Sequence, residues 1–200
     1  GSGIKALQNA GIKVEVGILQ EQAQDLSKGF MYAMNNKMPY VRCKVATSLD
    51  GKVALKNGKS KWVTGDIARS HGQRLRARSG AVITGIGTLL ADDSSMNVRQ
   101  DEWDNKLAQE AGLDLDIEKY KINQPIRVVI DPRLEIDLDC KWLESPGEKW
   151  IIINNNLLDN LDNLDDETDE RLKDKYQNKL NKLNKLDNVF VKNLILEDKN

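Results

Sequence analysis

The sequence predicts an α/β fold, a mainly parallel sheet covered by helices. Two near-continuous apolar runs carry that reading. One is IRVVI at Ile126–Ile130, bracketed by Pro125 and Pro132; the other is WIII at 150–153, after Pro146-Gly147. Strands apolar on both faces need cover on both sides, which crossover helices supply in parallel sheets. A third observation is the block 44–99, where glycines, polar residues and arginines interrupt each apolar run where a strand should end. Loops that carry a ligand site at a sheet edge look this way in sequence.

The elements follow in order. Residues 3–10 (GIKALQNA) predict a short helix closed by Gly11, because glycine accepts the conformation of a helix C-cap. Residues 12–17 (IKVEVG) alternate as a strand, and 18–37 predict a helix of about four to five turns. Lys37-Met38-Pro39 is a boundary, since proline disfavours helix at the residue before it. Residues 40–47 then predict a strand, with turns at Leu49-Asp50-Gly51 and Gly58-Lys59-Ser60. Thr64 is the expected N-cap of a helix starting near Asp66, whose carboxylate suits a helix N-terminus. Residues 81–84 predict a short strand buried on both sides, and Gly85-Ile86-Gly87-Thr88 opens a short helical turn ending at Ala91. In 154–187 leucines recur every three or four positions, which predicts a solvated amphipathic helix or helical hairpin. Biased composition produces the same look, and no function attaches to that segment. Residues 189–196 predict one more strand.

Composition excludes several functions. With 200 residues and 40% hydrophobic side chains, the chain can build a core for one domain, or one domain and a fragment of another. A formal charge of -1 gives no global attraction to nucleic acid or anionic lipid. No apolar run approaches a membrane span and no leader pattern opens the chain, so a soluble, cytoplasmic protein is expected. Cys43 and Cys140 are far apart without a CxxC, and His71 is the single histidine, so an ordinary four-ligand zinc site is not expected. His71 lies in a helix body and reads as a surface or packing residue. With few strong acids, bases or nucleophiles in play, a cofactor would carry the chemistry.

Within the block, Gly85-Ile86-Gly87-Thr88 can bring backbone N–H groups to a phosphate, or simply make a tight turn. Leu90 stands where a dinucleotide fingerprint wants its third glycine. Arg76 and Arg99 have the planar forks that bind oxyanions, although Arg76 shares its helix with Arg69 and Arg74 and could belong to a solvated basic face. Arg99 lies outside any charge run. Lys44 stands among apolar neighbours, where it costs desolvation unless it faces a polar cleft. Trp62 can pack in a core or stack on a flat ring.

The ordered blocks CKVATSLDGKVAL, GKSKWVTG, LRARSGAVITGIGTLLADD, NVR and IRVVID resemble the reductase domain of the bifunctional pyrimidine deaminase/reductase of riboflavin biosynthesis. The resemblance covers 39 to about 153. It implies a dihydrofolate-reductase-like mixed, mainly parallel sheet flanked by helices, preceded by the tail of an α/β deaminase domain. The implied domains are 1–38, deaminase tail and linker, and 39–200, a C-terminally incomplete reductase domain with an insertion at 154–187; Gly1 to Gly3 then read as native.

The implied activity is NADPH-dependent reduction of 5-amino-6-(5-phosphoribosylamino)uracil to the ribitylamino product. By position, Ala46, Trp62, Thr88 and Asp92 would contact NADPH, and Ser60, Arg76, Met96 and Arg99 would line the substrate site. Lys44 and Asp92 would be the catalytic residues. The resemblance implies a homodimer and no metal, nucleic-acid or membrane partner. Ser94 stands where the family has proline, so that loop loses a φ lock. The deaminase zinc motif and the family's late Glu-Gly-Gly loop have no counterpart, so the chain is expected to be an internal piece of a longer protein. Two other readings remain: a truncated or degenerate nucleotide-binding chain without turnover, and an NADPH reductase of the same fold with a folate-like substrate.

Overall fold

The computed structural model describes residues 1–99, 123–154 and 167–194. It divides into two compact units, Gly1–Val45 and Ala46–Asn200.

The first unit holds three helices, α1 (Ser2–Asn9), α2 (Gln20–Leu26) and α3 (Lys28–Asn36). Gly11, at φ +78°, ends α1: its N–H donates to the Gln8 carbonyl and the Ile12 N–H to that of Leu7. Those two bonds make a Schellman closure, which uses up carbonyls a helix end leaves unpaired. The single helix expected over 18–37 is two, broken at Ser27 (φ −110°, ψ 22°). Serine competes for backbone hydrogen bonds and Gly29 follows it closely, so the helix is weakest there. Residues 12–17 and 40–47, expected as strands, are irregular. Alternation specifies a strand only when a neighbouring backbone takes its hydrogen bonds, and Val16, Val41 and Val45 are exposed. Tyr40 instead meets the Tyr32 ring edge-on at 5.6 Å, with the Arg42 guanidinium 5.0 Å from its centroid.

The second unit begins with two tight turns, at Gly51 (φ +78°) and Gly58 (φ +79°). Helix α4 (Asp66–Ala77) follows, then β1 (Ala81–Gly85), α5 (Ile86–Asp92), β2 (Ile126–Ile130), α6 (Lys141–Glu144), β3 (Lys149–Asn154), α7 (Glu167–Leu183) and β4 (Val189–Leu194). The N-cap of α4 is Gly65, not Thr64, and no side chain caps it. The Thr64 carbonyl instead accepts from Arg69 Nη1 at 2.6 Å.

The four strands form one parallel sheet in the order β1-β2-β3-β4, with Ala81 opposite Ile126, Arg127 opposite Lys149 and Lys149 opposite Val189. Because side chains alternate across a strand, Val129, Ile151, Ile153 and Val189 share one face. They bury it against Leu89 of α5, Leu134, Ile136, Trp142 and Leu143 around α6, and Leu180 and Leu183 of α7. Tyr176, Leu180 and Leu183 recur at four and three residues, the spacing of one helical face. Removing a side chain such as Ile151 or Leu183 from water contributes roughly 1.5–3 kcal/mol. The remainder of the helix expected over 154–187 falls partly outside the described residues. The other face is more open. β1, expected to be buried on both sides, is an edge strand whose Ile83 is 63% exposed. Its outer edge has no described strand beside it, and loss of cover there exposes alternate side chains.

Where β2 ends, Asp131 is fully buried. Its carboxylate oxygens accept the N–H groups of Glu135 at 2.8 Å and Ile136 at 2.9 Å, which folds the chain back through Leu134 (φ +53°). Lys179 of α7 donates to the Leu134 carbonyl at 2.9 Å.

Candidate functional site

The segment between α5 and the residues preceding β2 carries two of the expected ligand residues, Met96 and Arg99. Asp93 ends α5 in a left-handed conformation (φ +43°), its N–H donating to the Leu89 carbonyl. Its carboxylate accepts the Lys141 backbone N–H at 3.0 Å and pairs with the Lys141 ammonium at 2.8 Å. That ammonium and N–H hold the Asp93 carboxyl below its usual range. At Ser94, where the resemblance expected proline, the hydroxyl accepts the Met96 N–H at 3.3 Å, and Met96 itself lies at φ +57°. A serine turn thus shapes the backbone that a proline ring would otherwise restrict.

Four side chains, from α4, β2 and the residues just before β2, then fasten residues 95–99. Arg127 Nη1 donates to the Ser95 carbonyl at 2.9 Å. Arg76 Nη1 donates to the Asn97 carbonyl at 2.5 Å. The Gln124 amide accepts the Val98 N–H at 2.7 Å and donates to the Val98 carbonyl at 3.2 Å. Gln73 of α4, buried, accepts the Arg99 N–H at 3.2 Å. Arg76 and Arg99 are therefore brought to one short loop, Arg76 half-buried in the last turn of α4 and Arg99 exposed at the end of the loop.

Beneath this loop lies a cluster of positive charge. Arg127 is fully buried and also donates to the Ser145 hydroxyl and to the carbonyls of Pro146 and Gly147. Burial lowers its pKa, and the nearby Arg76 charge lowers it further. Lys149, fully buried beside it, is pushed down to about 8 by burial and then by Arg127.

The remaining expected residues lie elsewhere. Thr88 and Asp92 are exposed and four residues apart on α5, so they share a helical face. Trp62 is exposed, with the Arg69 guanidinium 4.2 Å above its ring and Arg69 bonded to the Asp66 carboxylate. Ser60 and Ala46 are half-buried, and Lys44 is exposed in the first unit. Strand direction separates two groups. Thr88 follows the end of β1, whereas Arg76 precedes its start and Gln124 precedes the start of β2. In a parallel sheet these are opposite edges, and α5 with its following loop runs between them. His71 is exposed on α4. Among the described residues no group of three or more His, Cys, Asp or Glu could hold a metal, and no helix is long and apolar enough to cross a membrane.

Sequence reasoning did not single out Gln73, Gln124, Arg127 or Lys149. Arg127 had a signal: a charged residue inside a near-continuous apolar strand must find partners when buried. The two glutamines had none, since each reaches a residue 26 positions away.

Fold and loop together define an α/β domain with a parallel sheet and a loop fastened by two arginines and two glutamines. The chain belongs to the family of the RibD C-terminal domain, whose model matches residues 39–188. It is 40% identical over 152 residues to the riboflavin biosynthesis protein RibD of Haemophilus influenzae, covering 76% of this chain and 39% of that protein. With the protein of the same name from Escherichia coli it shares 39% identity over 150 residues, covering 75% of this chain and 39% of the relative. The chain thus spans about two-fifths of the length of these curated relatives. Among solved structures, Acinetobacter baumannii RibD matches with a TM-score of 0.61 and 37% identity, over 96% of this chain and 50% of that one. A deaminase/reductase structure from Thermotoga maritima, at 23% identity, shows the same fold with a TM-score of 0.62 over 96% of this chain and 49% of its own.

Proposed function

We propose that this chain is the reductase part of a riboflavin-pathway enzyme, reducing 5-amino-6-(5-phosphoribosylamino)uracil to the ribitylamino product with NADPH. The observation that carries the reading is membership of the RibD C-terminal domain family over 39–188. The Arg76 guanidinium, bonded to the Asn97 carbonyl two residues before Arg99, supports it. A solution homodimer in the cytoplasm belongs to the same reading.

In this assignment the guanidinium groups of Arg76 and Arg99 and the Ser60 hydroxyl bind the substrate phosphate, because charged forks and hydroxyls match its oxygens. Met96, on the same loop, lines the substrate site beside them. The exposed groups fit a dinucleotide: Thr88 offers a hydroxyl and Trp62 a ring, and a Cβ built at Gly85 or Gly87 meets nothing within 4 Å, so that turn is open to close approach. Ala46 and Asp92 are assigned to the dinucleotide with them. When bound, the nicotinamide supplies hydride. Opening the ribose leaves its ring oxygen in need of a proton, and Asp92 is the group assigned to hold or deliver it. The protein's share of the rate comes from orienting the sugar and excluding other geometries.

The test is NADPH absorbance in the presence of this pyrimidine and of its dephosphorylated counterpart. Turnover of the phosphorylated compound, with a much higher KM for the other, is the expected result. Binding of NADPH without any turnover overturns the reading.

A further inference from the structure

We propose that Gln124 is a positioning residue: it sets Met96 and Arg99 in place by docking Val98 on the sheet, an assignment that rests on the substrate reading above. The amide meets both polar groups of the Val98 backbone, accepting its N–H at 2.7 Å and donating to its carbonyl at 3.2 Å. This double exchange reproduces what a neighbouring strand offers one residue of a ladder. Val98 is 4% exposed, so an unpaired N–H or carbonyl there has poor access to water. The amide's own base is fixed, because Pro125 is buried and the Ile126 N–H donates to the Gly80 carbonyl at 3.0 Å ahead of β1.

Gln124 thus joins two rigid things, the start of β2 and the middle of the ligand loop. Three neighbouring holds cannot isolate this function, and Gln73 among them bonds the N–H of Arg99 itself. Arg76 is itself assigned to the phosphate, and Arg127 carries a charge beside it. Gln124 is neutral and its described bonds end on the backbone of Val98, one residue before Arg99 and two after Met96. Its removal therefore acts on the phosphate site through the loop.

The experiment compares the full chain with Gln124→Ala and Gln124→Glu. Melting curves verify folding, amide hydrogen exchange reads Val98 and Arg99, and steady-state kinetics read the phosphoribosylamino pyrimidine and NADPH separately. In Gln124→Ala the Val98 amide loses protection while the Arg99 N–H keeps Gln73 as its acceptor, and the pyrimidine KM rises about 10- to 100-fold, as expected for misplacement of a binding group by about an ångström. The NADPH KM stays within about twofold. Gln124→Glu keeps the acceptor for the Val98 N–H and sets an oxygen against its carbonyl, so it recovers part of the protection and part of the KM. Equal rises in both KM values, or an unchanged pyrimidine KM in either folded variant with lost protection, overturn the assignment of Gln124 alone. An unsubstituted chain that does not turn over the pyrimidine overturns the substrate reading and this assignment with it.

Discussion

Arg127 and Lys149 are register partners at the start of β2 and β3, and each donates to the same Gly147 carbonyl at 3.2 Å. Asn188 donates to that oxygen too, at 3.1 Å. Two fully buried cations therefore stand side by side with carbonyls and one serine hydroxyl as their described partners, and Arg127 Nε has none. Like charges in a region of low dielectric oppose folding.

Lys149 makes this measurable. In the fold it titrates at about 8, against an ordinary value of 10.5. Between those values the unfolded chain holds more protons, so through this group stability rises with pH from about 8 to about 10.5, and its penalty is fully present below about 8. In Lys149→Met that rise disappears, and stability near neutral pH is equal or higher because Arg127 no longer has a second buried cation beside it. Urea midpoints at about pH 8 and about pH 10 for both proteins check this. A slope identical in the two assigns the pH dependence to other groups.

Gly147 is held by conformation and by space. It lies at φ +100°, and a Cβ there would meet Arg127 Nη2 at 3.2 Å and Gln124 Cβ at 3.4 Å. Gly147→Ala is expected to cost about 2 kcal/mol or more, seen as a lower melting temperature. Gly80→Ala is the control: a Cβ there meets nothing within 4 Å, and the change stays within about 0.5 kcal/mol.

Asp131 serves two N–H groups of one turn, and Ile136 beneath it is 1% exposed. Asp131→Ala orphans both donors and is expected to cost about 2–4 kcal/mol in chemical denaturation. Asp131→Asn keeps one acceptor oxygen and should lose roughly half as much.

Arg99→Ala is expected to raise the pyrimidine KM by about 10- to 100-fold, the order of a lost charge-assisted contact, while the NADPH KM stays within about twofold. Steady-state kinetics with each compound varied in turn decide it. Equal effects on both remove Arg99 from the phosphate site.

Much of the second unit was legible before any coordinates. IRVVI is β2 residue for residue, and α4, α5 and β3 fall where apolar runs and glycines placed them. Those signals are local, and burial in one sheet enforces them. The failures share a cause. Residues 12–17 have the alternation of a strand and 40–47 apolar or mixed faces, but neither has a described ladder, because pairing depends on a partner the pattern cannot name. Thr64 yields the cap position to Gly65, since its carbonyl is committed to Arg69. Arg76 and Arg99 were legible as residue types, but their convergence depends on Gln73, Gln124 and Arg127, which act across long sequence separations.

The four described strands lie across the sheet in the order in which they occur along the chain. During synthesis each newly emerged strand can therefore zip onto the outer margin of the one made just before it. Among these four, no gap has to be kept open for a latecomer. For these four strands assembly of this kind is vectorial, and a pause in translation leaves fewer strands in the same order instead of a misthreaded set.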